Sequence, residues 1–222
     1  MCRVLHFGIE PEMIFTTKDA VRRRGLSRVY AWLLCCLTLL LGCSVRAEDL
    51  TEADEAFDRG EFVTALELYE ALAEQQDPSA TYRLGLMYEQ GLGTDADPAT
   101  AASWYQKAQA LDSPEAIGAL ADLHLRGIGV IQNFKESLRL NISAAEAGYA
   151  PAQYNLAVAY ANGVGTYRDP VKAHMWFNIA AASGYANAAQ SRDSLAAVMA
   201  EGEITRAQQR AKACLDSNLL GC

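Results

Sequence analysis

Residues recur along this chain at a strict step of 36 positions, and a period of that length restricts it to an array of stacked supersecondary units. Gly91, Gly127 and Gly163 form one column, and Gly93, Gly129 and Gly165 a second. Leu84, Leu120 and Leu156 keep the register, as do Ala80, Ala116, Ala152 and Ala188, and Ala108, Ala144 and Ala180. Trp104, Leu140 and Trp176, and Tyr88, His124 and Tyr160, complete it without a gap.

Each period has the pattern of two helices. Ala80, Leu84 and Tyr88 recur at four-residue steps and line one face of an amphipathic helix. The G-x-G pairs end it, since glycine enters left-handed turns without steric cost. A second helix starts at Asp97-Pro98, Asn133-Phe134 and Asp169-Pro170. Asp or Asn is a strong N-cap there, and proline suits the first helical position. Trp104 or Trp176, with alanines four residues later, are expected to form its buried face.

One hairpin of this kind cannot cover its own apolar faces, so stacking neighbours makes the core. The expected fold class is all-α: a right-handed α-solenoid of antiparallel helix pairs. Three repeats span residues 80–187 (80–115, 116–151, 152–187). Residues 48–79, with Gly60-Glu61-Phe62 followed by Ala65, Tyr69 and Ala73, read as an N-terminal capping pair. Residues 188–222 read as C-terminal capping helices and a tail, with helices at roughly 187–200 and 203–215.

Residues 1–47 differ in kind, carrying seven Lys/Arg against three Asp/Glu. Arg22, Arg23, Arg24 and Arg28 precede the apolar run from Val29 to Leu41, the charged and apolar parts of a secretory signal. Such a run is short of the roughly 20 residues a membrane helix requires. The start of translation reads either at Met1 or downstream at Met13. Two cleavage sites compete: Leu40-Leu41-Gly42-Cys43 is similar to a bacterial lipobox with Cys43 as the lipidated residue, and Val45-Arg46-Ala47 suits an ordinary signal peptidase. Either places the protein beyond the inner membrane, in the periplasm or as an outer-membrane lipoprotein attached through Cys43.

After residue 47 there are twelve Lys/Arg against twenty-four Asp/Glu. That surface repels phosphate backbones and argues against nucleic acid as a partner. Only Cys214 and Cys222 remain as free thiols after processing. An even pair in an exported chain reads as a disulfide that pins the tail, with two unpaired thiols as the alternative.

These columns resemble the Sel-1-like repeat family, a relative of the tetratricopeptide repeat, over about residues 51–187. The family pattern runs A-x-x-x-L-G-x-x-Y, G-x-G, an acidic residue, K-A, W and A-A; three units align with it, and its Lys-Ala step appears in full only as Lys172-Ala173. Unit 116–151 departs most, with Ala121 for glycine, His124 for tyrosine and Leu140 for tryptophan. The resemblance implies a scaffold or adaptor of the bacterial cell envelope that presents a concave face to a protein or peptide. By similarity to tetratricopeptide arrays, first-helix positions off the core stripe line that face: Tyr82, Leu86, Glu89, Asp122, Arg126, Tyr154, Val158 and Asn162. For Tyr82 and Tyr154, packing between neighbouring helices is the alternative.

A second function class follows from some cysteine-rich secreted relatives, an envelope hydrolase or β-lactam-binding enzyme. This chain lacks their regular pair of cysteines per repeat, so that activity is not carried over. No G-x-S-x-G, H-E-x-x-H or Cys-His arrangement is present. His124 occupies a structural column and His174 has no second ligand at metal spacing, so neither a metal nor another cofactor is expected. The G-x-G pairs follow helices rather than strands and are turns, not phosphate cradles.

Overall fold

The computed structural model describes residues 50–219, 221 and 222. The described residues fall in one compact unit. Residues 1–47, which the sequence reads as a secretory signal with Cys43 as the lipidation candidate, lie outside the described residues. Ten helices follow one another among the described residues. They are α1 (residues 50–58), α2 (Phe62–Glu74), α3 (Pro78–Gln90), α4 (Pro98–Gln109), α5 (Pro114–Arg126), α6 (Phe134–Glu146), α7 (Ala150–Asn162), α8 (Pro170–Ala182), α9 (Ala188–Ala196) and α10 (Glu201–Asp216). Successive helices from α2 to α9 pack on one another, α3 also touches α5, and α10 returns onto α8. This is an α-solenoid of helix pairs, in which contacts stay local along the array.

Short polar caps set the helix starts. Asp77 accepts from the Ala80 N–H at 2.9 Å, and Asn133 from that of Glu136 at 3.1 Å. Asp97 takes the Ala99 and Thr100 N–H groups, and Asp169 that of Lys172. The first helices begin at Pro78, Pro114 and Ala150, two residues before the core alanines that opened each unit in the sequence. Proline fits the first turn, where its missing N–H would have no partner anyway.

Gly91, Gly127 and Gly163 end these helices with φ of +71°, +69° and +74°. The second glycine of each pair does more than turn the chain. A Cβ on Gly93, Gly129 or Gly165 would come under 3.0 Å from the backbone carbonyl of Phe62, Pro98 or Phe134, the first residue of the previous unit's second helix. Each G-x-G turn is therefore seated on the preceding unit, and the 36-residue step is the spacing of that contact.

The leucine column is buried throughout, as are both alanine columns. In the aromatic column Leu140 and Trp176 are buried, but Trp104 is only half-buried, with the Lys107 ammonium 3.6 Å from its ring centroid. Its neighbour Tyr105 supplies the fully buried ring instead. Tyr160 is buried, whereas Tyr88 is half-buried. Cys214 and Cys222 are bonded, with Cα atoms 5.5 Å apart, which folds the tail against α10. No described helix is long and apolar enough to cross a membrane.

Candidate interaction surface

The first helices of consecutive units share one face. Leu50 and Asp54 of α1, Ser79, Tyr82 and Arg83 of α3, and Glu115 of α5 line a cavity of about 270 Å³ there. Asp54 accepts a hydrogen bond from the Tyr69 hydroxyl at 2.5 Å and pairs with Arg83 Nε at 3.5 Å. The Arg83 guanidinium also lies 5.6 Å from the Phe57 ring centroid. Glu115 accepts from the Ser113 hydroxyl at 2.9 Å. An aromatic ring, a cation and two carboxylates thus converge on one recess, a mixture that suits a polypeptide segment.

Five of the other positions expected on this face divide into three groups. Glu89, Asp122 and Arg126 are tied to one another: Arg126 Nη2 donates to Glu89 Oε1 at 2.9 Å and pairs with Asp122 Oδ2 at 2.6 Å. Glu89 also accepts from the Tyr105 hydroxyl at 2.8 Å. Burial, reinforced by the Glu89 carboxylate, drives the Tyr105 phenol far above its ordinary range, so it stays a neutral donor. This network locks the first junction between units. Its charges pair with one another, while Arg126 and Asp122 each keep 44% of their side-chain surface exposed.

Tyr154 belongs to the second group. Its ring lies 5.3 Å from that of Phe177 and 4.9 Å from that of Tyr185, and its hydroxyl is 3.2 Å from Ser191 Oγ. Packing between helices is what the structure gives it. Tyr82 combines both readings, 5.8 Å from the Tyr105 ring on one side and lining the cavity on the other. Burial raises its phenol pKa. Leu86 is half-buried and Asn162 exposed.

Val158 falls in the third group, in a separate and smaller cavity of about 80 Å³ with Leu125, Phe134, Leu138 and Asn141. Sequence reasoning missed these residues, as it missed Ser79, Arg83 and Glu115 around the first recess. The signal for the second cavity was present in the columns: Tyr105, Asn141 and Phe177 are 36 apart, and only the middle one is not aromatic.

Of the two histidines in the described residues, His124 has Nδ1 3.3 Å from the Ile131 carbonyl oxygen. His174 is 2% exposed, and burial together with nearby Arg192 lowers its pKa. Among the described residues no group of three or more His, Cys, Asp or Glu side chains could hold a metal ion.

Comparison with known proteins agrees with this architecture. The Sel1 repeat model matches residues 78–113, 114–149 and 150–185. The chain is 36% identical over 125 residues to chitin synthase regulatory factor 3 of Schizosaccharomyces pombe, covering 55% of this chain and 13% of that protein. It is 29% identical over 161 residues to an uncharacterised protein of Neisseria meningitidis serogroup B, covering 59% of this chain and 34% of that one. The chain thus spans about a third or less of these relatives. Among solved structures it is similar to a Sel1 repeat protein from Oxalobacter formigenes, with a TM-score of 0.61 and 25% identity over 64% of this chain and 58% of that one. It is similar also to a protective antigen of uropathogenic Escherichia coli, with a TM-score of 0.59 and 30% identity over 71% of this chain and 36% of the other. Three tandem matches at the 36-residue step, with neighbours of the same fold, place this chain in the Sel1 repeat family.

Proposed function

We propose that this chain is a scaffold of the bacterial cell envelope that captures an extended protein or peptide segment on the face formed by α1, α3 and α5. The recess around Tyr82 carries the reading, because three consecutive units contribute to it and its lining mixes apolar, aromatic and charged groups. Sel1 repeats as a class mediate protein interactions, and the fission-yeast relative is by name a regulatory factor. Export through residues 1–47, with or without a lipid on Cys43, belongs to the same proposal and rests on the basic cluster and apolar run of that segment.

The test is a photocrosslinking residue placed at Ser79 in the full chain, expressed in its native cell, with one at exposed Glu67 on α2 as the control. A discrete adduct from position 79, absent from position 67 and reduced by Tyr82→Ala, is the expected result. Adducts that do not distinguish the two positions overturn the assignment of the face. Mass analysis of the mature N-terminus in the same sample separates lipidation at Cys43 from cleavage after Ala47.

A further inference from the structure

Charge is spread unevenly along the solenoid. Residues 50–77, which make up α1, α2 and the turn into α3, carry nine Asp/Glu against one Lys/Arg, whereas residues 78–222 carry thirteen against eleven. Most of the net negative charge of the described residues therefore sits in the N-terminal cap, whose helix α1 lines the recess around Tyr82. Little of it is neutralised there. Arg59 pairs with Glu55 and Glu61, and Arg83 with Asp54, while Glu52, Asp58, Glu67, Glu70 and Glu74 form no ion pair among the described residues.

The recess repeats this imbalance at close range. Its charged groups are Asp54, Arg83 and Glu115. Arg83 is already engaged, with Nε 3.5 Å from Asp54 and its guanidinium over the Phe57 ring. Glu115 stands in the first turn of α5, exposed, and accepts from the Ser113 hydroxyl through Oε2, but no cation pairs with it among the described residues. Two rings lie within its electrostatic reach. Burial raises the Tyr82 phenol, Arg83 opposes this, and Glu115 and Glu89 add to it. The Tyr149 phenol is pushed up to about 12 by burial, with Tyr82 and Glu115 contributing. Glu89 is held by Arg126 and the Tyr105 hydroxyl, so Glu115 is the carboxylate left open to an incoming charge. A carboxylate beside aromatic rings suits an ammonium or guanidinium group, which gains from both.

We infer that the segment captured in this recess is basic, and that one of its lysine or arginine side chains lies against Tyr82 with its charge on Glu115. The inference rests on the scaffold reading and adds the chemistry of the partner to it. A recess of about 270 Å³ has room for one long side chain. The unpaired carboxylates of α1 and α2 then draw in the other cations of the segment, acting over about 8 Å at physiological salt. An acidic segment would be repelled by the same charges and would leave Glu115 without a partner.

The experiment titrates the full, oxidised chain with the capped peptide Gly-Ser-Lys-Ala-Lys-Leu-Lys-Ser-Gly, with its arginine counterpart and with a third peptide that has glutamate for each lysine, and follows the amide resonances of Ser79, Tyr82 and Glu115. The expected result is a saturable shift by the two basic peptides and none by the acidic one, with binding about ten-fold weaker when salt rises from about 0.05 M to about 0.5 M. Glu115→Gln weakens the lysine peptide about five-fold, and Tyr82→Leu about three-fold. Glu67→Gln, which removes the same charge from the exposed surface of α2, changes it less than about two-fold. No shift by the basic peptides, equal binding of the acidic one, or equal losses in Glu115→Gln and Glu67→Gln overturns the inference. Spermidine that binds as tightly as the lysine peptide and shifts the same resonances assigns the recess to a free polyamine and overturns it as well. In the cell, mass spectrometry of the adduct at Ser79 reads the crosslinked segment. An adduct whose segment carries no lysine or arginine refutes the basic partner and leaves the scaffold reading standing. If the basic peptides bind as expected and no discrete adduct forms at Ser79, the scaffold reading is refuted instead.

Discussion

Gly129→Ala separates the two jobs of the glycine pairs. Gly129 has φ +69°, and a Cβ there would come under 3.0 Å from the Pro98 carbonyl group, which belongs to the first turn of α4 and cannot yield without moving that helix end. The left-handed conformation alone costs a non-glycine residue about 1–2 kcal/mol. Forcing a methyl against backbone adds about 1–3 kcal/mol. Gly148 is the matched control, with φ +89° and nothing within 4 Å of an added methyl, so Gly148→Ala bears only the conformational part. Urea unfolding of oxidised protein, followed by far-ultraviolet circular dichroism, is expected to place Gly129→Ala about 2 kcal/mol below Gly148→Ala. The denaturant slope should also fall, because weakening one junction of a solenoid uncouples the units on its two sides. Equal losses for the two variants would refute the claim that the turn is a contact between units rather than only a turn.

Two further outcomes concern the C-terminal half. The buried His174 has its pKa held below the unfolded value of 6.5 by desolvation and by Arg192, with Asp193 opposing. The unfolded chain therefore takes up protons first as pH falls below about 6.5, and the fold loses up to about 1.4 kcal/mol per pH unit until the native pKa is reached. His174→Leu, which copies Leu138 one unit earlier, should flatten the stability profile between pH 7.5 and 5.0, and identical slopes for the two proteins would sink the assignment. Reducing the Cys214–Cys222 bond, whose sequence separation is 8, should cost about 2.5 kcal/mol on the chain-entropy estimate. Hydrogen exchange should then rise in α10 and stay unchanged in α3 to α5, and unchanged protection of α10 would contradict a pinned tail.

The architecture was legible because the elements between its two caps repeat. The glycine, leucine and alanine columns report backbone and packing demands that recur at each step, so three copies of one signal reinforce each other. The interaction surface was harder to read for the opposite reason, since it is built where columns break. Glu89 and Arg126 lie 37 apart rather than 36, and no periodic pattern says that they meet across a junction. Trp104 sits on the tryptophan column, yet the buried ring is Tyr105, because the phenol is the one that reaches Glu89. The Tyr82 column reads Tyr82, Gly118 and Tyr154, and at the missing position Tyr149 moves in so closely that a Cβ on Gly118 would come 2.7 Å from its ring. Burial also pushes the Tyr149 phenol up to about 12, with Tyr82 a lesser contributor. Such compensations follow from packing in three dimensions.

Two of these breaks form one coupled pair. A Cβ on Gly85 would come under 3.0 Å from the Tyr105 ring, so Tyr105 depends on glycine at that site. At the second junction the same two places hold Ala121 and Asn141. At the third they hold Ala157 and Phe177, and there the ring stands at 59° to Tyr154 instead of the 31° between Tyr105 and Tyr82. Asn141→Tyr alone is therefore expected to destabilise by about 1–3 kcal/mol, because the Ala121 methyl occupies the ring's place. Adding Ala121→Gly opens that place, so the double variant should recover most of the loss, with a coupling energy of about 1–3 kcal/mol in a double-mutant cycle measured by urea unfolding. Additive losses would mean that the second junction is not a first junction lacking its plug.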